Sequence, residues 1–266
     1  MVEITGSYTE VDGVRTYFES CGSGAAVLLI HTAGRDGRQW HGVMERMAPH
    51  YRLFAPDLPG HGKSWPLAGN RCLQDVHEIV AWLRRFAATV IGDKFAVMGC
   101  SLGGNLSLLM AATCEEIRAA IALEGADHTP TFPEVGLDLM THPQISLMHY
   151  NMDFSMSLVG SEATAAARSF SEWGVLSLIP LAQQGDLRAY TRCDIRDLMS
   201  SVRCPVLIVR GMADWLVSQK MVEETRGRLV NARVAKLEPI SGIGHFPHLE
   251  DPERIAQLAL KFLAEI

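Results

Sequence analysis

The chain has 266 residues, of which 48% are hydrophobic and 20% are charged, as is typical of globular proteins. This composition excludes disordered, collagen-like and coiled-coil proteins, and the length suits one α/β domain. The net charge is -6, from 24 basic and 30 acidic residues without a block of Lys and Arg, so nucleic acid is not an expected partner.

Short β-rich runs alternate with amphipathic runs of helical length along most of the chain. Residues 6–21 are predicted to form two antiparallel strands around the turn Asp12-Gly13. Further strands are predicted over 25–30, 51–55, 94–99, 118–123, 206–210 and 233–237. Helices are predicted over 38–49, from about 73, from about 102, and from Pro252 with Asp251 as its N-cap. The alternation predicts an α/β fold with a mostly parallel sheet and helices on both faces.

The alternation breaks between Asp127 and about Met199, where methionines become frequent. We interpret this segment as a helical insertion that could act as a lid. Its methionines either pack in the interior or line an adaptable apolar pocket, and both alternatives are compatible with a lid.

The strongest functional signal is Gly99-Cys100-Ser101-Leu102-Gly103, at the junction of a predicted strand and a predicted helix. A serine at such a turn is exposed as a nucleophile, and the flanking glycines avoid collisions with neighbouring backbone. The amide of Leu102 lies at the helix N-terminus, where it can stabilise an oxyanion.

A serine nucleophile needs a base and a carboxylate that orients the base. Asp214 follows the predicted strand 206–210, at an edge of the sheet where active-site groups collect, and is our candidate acid. His245 lies in a glycine-bracketed loop before the last helix and is our candidate base. Glu124 and Asp127, at the end of the strand 118–123, are alternative candidates for the acid.

With Ser101, Asp214 and His245 in this order, and with Asp57-Leu58-Pro59-Gly60-His61-Gly62-Lys63-Ser64, the chain resembles the α/β-hydrolase superfamily over nearly its whole length. The resemblance implies an eight-stranded core over 1–127 and 200–266, with a helical cap over 128–199 after the sixth strand. It also implies structural roles for Asp57 and His61.

The chain departs from the family pattern after the third strand, where His31-Thr32-Ala33-Gly34-Arg35 replaces the usual His-Gly. By position, the Ala33 amide is the expected second oxyanion donor, and the β-branched Thr32 is expected to alter the path of the loop. We expect His31 to hold the loop by a hydrogen bond.

Three residues near these motifs are expected to bind substrate: Arg35, Trp215 and Phe246. Arg35 follows the oxyanion loop and could hold a substrate carboxylate through a bidentate pair, although a solvated charge is the alternative. Arg38 is expected to lie in the following helix and to be solvated.

The sequence thus predicts a serine hydrolase that cleaves a small ester or lactone through an acyl-enzyme. The alternatives are a carbon–carbon bond hydrolase of the meta-cleavage product type and a hydrolase-like ligand sensor. A serine in place of aspartate as nucleophile argues against epoxide hydrolases and haloalkane dehalogenases.

Six scattered cysteines without a Cys-x-x-Cys pair favour reduced thiols over a zinc site or a disulfide framework. The N-terminus lacks the features of a secretory signal, and no run of about 18 apolar residues is present. We therefore expect a cytoplasmic protein without membrane partner, metal or cofactor. A homo-oligomer is compatible with the sequence.

Overall fold

The computed structural model describes residues 2–129, 144 and 147–266. Eight strands form one sheet in the order β1-β2-β4-β3-β5-β6-β7-β8, in which β2 is antiparallel to both neighbours and the remaining pairs are parallel. The strands are β1 (Thr5–Val11), β2 (Val14–Cys21), β3 (Ala26–Ile30), β4 (Arg52–Pro56), β5 (Phe95–Cys100), β6 (Ile117–Leu123), β7 (Val206–Gly211) and β8 (Ala235–Ile240). The predicted α/β class is confirmed.

Helices cover both faces of the sheet, and the described residues between β6 and β7 form three further α-helices. The α-helices in the described residues are α1 (His41–Met47), α2 (Val76–Val90), α3 (Leu102–Thr113), α4 (Leu147–Ser157), α5 (Ala165–Leu176), α6 (Pro180–Thr191), α7 (Gln219–Arg228), α8 (Pro247–Glu250) and α9 (Pro252–Ala264). None of the described helices has the length and apolar content needed to cross a membrane.

The two faces of the central strand β3 contribute to two separate hydrophobic clusters. Leu28 and Ile30 pack with α2 and α3 on one face of the sheet. Val27 and Leu29 pack with α1 and α9 on the other. Because side chains alternate along a strand, a continuous apolar run is buried on both sides, and this fixes β3 in the middle of the sheet.

The observed element boundaries differ from the predicted ones where a side chain captures a backbone amide. The helix predicted over 38–49 is a 3₁₀ turn, Gly37–Trp40, followed by α1. Asp36 accepts the amide of Arg38, and Asp57 accepts that of Gly37, so the chain turns before α1 begins. Likewise α2 begins three residues later than predicted, because Asp75 caps its first turn.

At the last helix, the predicted cap is confirmed, since Asp251 accepts the amide of Arg254 and Pro252 is the first helical residue. The last strand runs to Ile240 rather than 237 and includes Pro239, which an edge strand tolerates. Helix α7 was not predicted.

The insertion between β6 and β7 is helical where the structure describes it, in α4, α5 and α6. Part of its predicted range, 130–143 with 145–146, lies outside the described residues, and Met140 falls there. Met148 on α4 is exposed to solvent, whereas Asn151, Phe154 and Ser155 of the same helix face an internal cavity.

Candidate active site

Ser101 occupies the turn between β5 and α3 in a conformation that few non-glycine residues adopt. Its φ and ψ are 58° and -119°, and its amide is fixed by the Leu123 carbonyl at 2.9 Å. A Cβ added at Gly99 would lie 2.1 Å from the Gly103 carbonyl oxygen, and one at Gly103 would lie 2.3 Å from that of Ile30. Only glycine fits at both positions, so the packing around the turn maintains the strained serine.

His245 is positioned by the loop between β8 and α8. Its amide donates to the Leu158 carbonyl at 2.8 Å. The amides on either side, of Gly244 and Phe246, donate to the buried Glu250 carboxylate at 2.8 and 3.1 Å. The imidazole is buried and borders the same cavity as Ser101.

Asp214 lies in the turn after β7 and contacts the His245 ring, with 2.6 Å between Asp214 Oδ2 and His245 Nδ1. The amides of Leu216 and Val217 also donate to this carboxylate, at 2.7 and 3.3 Å. Burial opposes ionisation, but His245 and these donors hold the pKa of Asp214 below its usual value. Asp214 is therefore a carboxylate that fixes the orientation of the imidazole.

Two backbone amides beside Ser101 have no acceptor within the described part of the chain, those of Ala33 and Leu102. The neighbouring amides of the first loop are occupied: that of Thr32 donates to Gln39 Oε1 at 3.1 Å, and that of Gly34 to Asp186 Oδ2 at 2.8 Å. Thr32 also donates its hydroxyl to Gln39, which accounts for a threonine at this position. The loop thus leaves the Ala33 amide available to a ligand.

His31 holds this loop as a neutral ring. Nδ1 donates to the Thr32 carbonyl at 2.9 Å, and Nε2 accepts the Leu58 amide at 3.2 Å, which defines the tautomer. Burial and the nearby His61 lower the pKa of His31 to about 4.

Asp186, on α6, binds the loop from the other side and was missed by the sequence analysis. Besides the Gly34 amide it contacts His61, with 2.9 Å between Oδ2 and Nε2, and both side chains are buried.

The expected structural role of Asp57 agrees with its contacts, since it accepts the amides of Gly37 and Lys63, each at 2.8 Å.

The cavity in front of Ser101 has a volume of about 690 Å³ when its opening to solvent is included. Its walls are mostly apolar, with polar groups contributed largely by α4 and α6. The lining residues are Thr32, Ala33, Arg35, Ser101, Asn151, Phe154, Ser155, Leu158, Gln183, Leu187, Tyr190, Thr191, Leu216, His245 and Phe246.

Arg35 is the cationic side chain of this wall and is only 9% exposed. Nη2 of Arg35 donates a hydrogen bond to the Ser155 hydroxyl at 3.1 Å. No carboxylate of residues 2–129, 144 or 147–266 lies within ion-pair distance of Arg35. Burial lowers the pKa of Arg35 to about 10 against the opposing effect of the nearby Asp36 charge, so the guanidinium is charged at neutral pH but forms no direct ion pair in the described structure.

Phe246 lines the cavity, but the structure does not place Trp215 there. The Trp215 indole is 56% exposed, donates to the Ser157 carbonyl at 3.2 Å and packs edge-on against Phe154. Leu216, the next residue, faces inward instead. Trp215 therefore supports a wall of the cavity from outside, because the Asp214 turn directs successive side chains to opposite sides.

Arg38 lies outside the cavity, in the 3₁₀ turn rather than in the predicted helix. It pairs with Asp36 and stacks on Trp173, with 4.2 Å from its guanidinium carbon to the ring centroid.

Tyr190 on α6 is a further cavity residue that the sequence did not indicate. Its buried side chain lines the cavity together with Ser101, and burial keeps the pKa of Tyr190 above its usual value. Gln183, Asp186 and Tyr190 are spaced by three and four residues, the spacing of one helix face. That spacing was the available signal, but it did not indicate where the face points.

The two alternative acids occupy different surroundings. Asp127 pairs with Arg228 at 3.0 Å and with His128 at 2.8 Å. Glu124 lies beside Asp214 and His245, and one potential ligand atom from each of the three residues lies within 4.8 Å of the others. Such a group could accept a metal ion only if the bond between Asp214 and His245 were broken.

Comparison with known proteins agrees with the fold. The model of the "Alpha/beta hydrolase family" matches residues 27–258, which is most of the chain. The chain belongs to the alpha/beta hydrolase family. It is thus an enzyme of the hydrolase class, with the eight-stranded sheet and flanking helices of that family.

Among curated relatives of this alpha/beta hydrolase are two proteins named pimeloyl-[acyl-carrier protein] methyl ester esterase. The protein from Aeromonas hydrophila is 27% identical over 260 residues, covering 92% of this chain and 98% of the relative. The protein from Xanthomonas campestris is 27% identical over 266 residues, covering 94% and 99%.

Solved structures with the same fold include the enol-lactonase from Burkholderia xenovorans LB400, with a TM-score of 0.85 and 16% identity over 97% of this chain and 100% of the other. A thermophilic esterase from Thermogutta terrifontis, with malate bound, has a TM-score of 0.84 and 20% identity over 99% and 98%.

Proposed function

We propose that this hydrolase cleaves a small carboxylic ester or lactone through an acyl-enzyme on Ser101. The observation that carries the proposal is that Ser101, the imidazole of His245 and Ala33 line one cavity, while Asp214 contacts the imidazole. The amides of Ala33 and Leu102 have no acceptor among the described residues. The relatives named as esterases support ester hydrolysis as the reaction.

In this mechanism His245 takes the proton of the Ser101 hydroxyl as its oxygen attacks the substrate carbonyl carbon. The carbonyl oxygen gains the negative charge and is held by the amides of Ala33 and Leu102. Collapse of the intermediate breaks the bond to the alkoxy group, which leaves as alcohol with the proton from His245. Water, deprotonated by His245, then attacks the acyl-enzyme and releases the acid and the free serine.

The preferred substrate carries an anionic group that binds Arg35. No carboxylate of the described residues forms an ion pair with the buried Arg35 guanidinium, and a substrate carboxylate would supply such a partner beside the Ser155 hydroxyl. The apolar lining, including Phe246, would contact the rest of the acyl chain.

In this proposal residues 1–127 and 200–266 form the catalytic core, and residues 128–199 form a lid or cap insertion. We also propose a cytoplasmic location, which the six free cysteines support.

The nucleophile is tested by Ser101→Ala with short-chain esters as substrates. Turnover should fall to a trace, while the circular dichroism spectrum remains that of the wild type. A serine-directed phosphonate should label Ser101 in the wild type and nothing in the variant. The assignment is wrong if the variant keeps more than about a tenth of the wild-type rate. A vinylogous diketone in the same panel tests the carbon–carbon alternative.

The anion site is tested with a matched pair of substrates, the monomethyl ester of a diacid and its dimethyl ester. Arg35→Met should lower kcat/KM for the monoester roughly tenfold more than for the diester, since a charge-assisted hydrogen bond contributes about 1.5 to 3 kcal/mol. Arg38→Met is the control, because Arg38 lies outside the cavity. Equal losses on both esters would remove Arg35 from the substrate site.

A further inference from the structure

Glu124 is a buried carboxyl group that the proposed mechanism does not use. It follows β6, is inaccessible to solvent, and has a φ of 47°, a value that is rare outside glycine. One oxygen, Oε1, accepts the amide of Gly211. The other, Oε2, has no hydrogen-bond donor among the residues that the structure describes. A buried carboxylate oxygen in this condition requires an explanation.

The explanation lies in the neighbouring acid. One oxygen of the Glu124 carboxyl group lies within 4.8 Å of one oxygen of the Asp214 carboxyl group, and both groups are only acceptors when ionised. A hydrogen bond between them therefore exists only if one of the two carboxyl groups holds a proton.

The remaining contacts decide which group holds it. Asp214 accepts three N–H donors, from His245, Leu216 and Val217, and these favour its ionised form. Glu124 accepts one, from Gly211. The nearby cation, Arg210, directs its donors to the carbonyls of Val217 and Asp214 and forms no ion pair with Glu124. The proton therefore belongs on Glu124.

We propose that Glu124 is a neutral carboxylic acid that donates a hydrogen bond to Asp214 and so acts as a positioning residue for the His245–Asp214 pair. This inference rests on the proposed function, in which Asp214 orients His245. Burial and the charge of Asp214 raise the pKa of Glu124 well above its usual range, in agreement with a neutral acid. The titratable and charged groups that face Glu124 are Asp214, Arg210, His245, Cys100 and Tyr190.

The neutral form matters because His245 becomes positively charged during the reaction. With Glu124 ionised, two negative charges would lie behind the ring and would stabilise its charged form before the reaction begins. With Glu124 protonated, only the negative charge of Asp214 lies behind the ring. The hydrogen bond from Glu124 then helps to fix the orientation of the Asp214 carboxylate. Glutamine reproduces this arrangement, since its carbonyl can accept the Gly211 amide and its amide group can donate to Asp214.

The test compares Glu124→Gln with Glu124→Ala. Glu124→Gln should keep kcat/KM within roughly threefold of the wild type and leave the acid limb of its pH profile in place. Glu124→Ala removes the donor and should lower kcat roughly tenfold with little change in KM. A loss in Glu124→Gln as large as that in Glu124→Ala, or a displaced acid limb in Glu124→Gln, would overturn the proposal.

A second measurement does not depend on turnover. Infrared difference spectra between wild type and Glu124→Gln at pH 8 should show the C=O stretching band of a protonated carboxyl group in the wild type only. Asp127→Asn is the matched control, since Asp127 is equally buried at the same strand end but paired with Arg228, and it should retain the band.

Absence of the band in the wild type would refute the neutral acid, as would a stoichiometric metal ion bound to the purified protein and lost in Glu124→Gln. Neither result depends on Ser101→Ala, which tests the proposed function itself.

Discussion

The buried ion pair between Asp186 and His61 joins helix α6 to the loop after β4 and permits a quantitative prediction. His61 Nδ1 lies 3.2 Å from the Pro59 carbonyl oxygen and Nε2 lies 2.9 Å from Asp186 Oδ2, so both nitrogens face acceptors and the ring is an imidazolium. Asp186→Asn keeps the side-chain shape but leaves this cation unpaired. We expect the free energy of unfolding to fall by about 3 to 5 kcal/mol near pH 6, the usual effect of breaking a buried pair.

The effect should depend on pH in a defined direction. Burial opposes the charge on His61, but Asp186 raises the pKa of His61 above its usual value. Because the pKa of His61 is higher in the folded protein than in the unfolded chain, where it is about 6.5, the ion pair contributes its full stabilisation below about pH 6.5. This contribution disappears as the pH rises through the pKa of His61 in the folded protein. The difference between wild type and Asp186→Asn should therefore shrink in alkaline solution.

Urea unfolding followed by tryptophan fluorescence measures these free energies across the pH range. A double-mutant cycle with His61→Ala should give a coupling energy of at least about 1.5 kcal/mol near pH 6. A coupling below about 0.5 kcal/mol, or a loss of stability that is equal at acid and alkaline pH, would refute the ion pair.

Asp186→Ala tests the second contact of this carboxylate, which accepts the Gly34 amide next to the Ala33 amide. Losing one oxyanion donor costs about 10² to 10³ in kcat, so a displaced Ala33 should cost roughly tenfold or more without a comparable change in KM. Asp186→Asn retains an acceptor for Gly34 and should lose less activity. Equal kcat values for wild type and Asp186→Ala would show that α6 does not hold the oxyanion loop.

Further predictions concern the remaining buried acids and histidines. Asp214→Asn should lower kcat by about 10⁴, whereas Asp127→Asn should retain kcat, since Asp127 contacts Arg228 rather than His245; steady-state kinetics on one ester compares them. Burial and His245 lower the pKa of His248 to about 3, so its contribution to stability is present above about pH 6.5 and declines below it by up to about 1.4 kcal/mol per pH unit. His248→Phe, which can still stack on Trp40, should remove that slope in unfolding measured between pH 5 and 7.

The sequence predicted the sheet and most of the covering helices, although not α7, because their signals are local: apolar runs of strand length, helical periodicity and caps such as Asp251. Some boundary errors arose where a side chain accepted a backbone amide from another part of the chain. Asp57, which holds Gly37 across a turn, is the clearest case, because periodicity contains no information about such a contact.

The candidate site likewise contains residues that the sequence could predict and contacts that it could not. Ser101, Asp214 and His245 each follow a strand of a mostly parallel sheet, so topology alone predicts that they meet at one edge. The contacts of the insertion could not be predicted, because Arg35 and Ser155 are separated by 120 residues and His61 and Asp186 by 125. A sequence pattern identifies a face of a helix but not the surface on which that face packs.

Helix α6 illustrates why these long-range contacts decide selectivity. Gln183 packs against Gly34, Asp186 binds the Gly34 amide, and Tyr190 lies beside Ser101, all from one helix face. If α6 only covered the substrate, substitutions in α6 would change substrate binding but not the rate of the chemical step. Because α6 contacts the loop that carries the Ala33 amide and lines the cavity beside Ser101, a change in its packing would alter the geometry of the proposed chemical step together with the shape of the cavity. We therefore expect substrate preference and kcat to change together when α6 is altered.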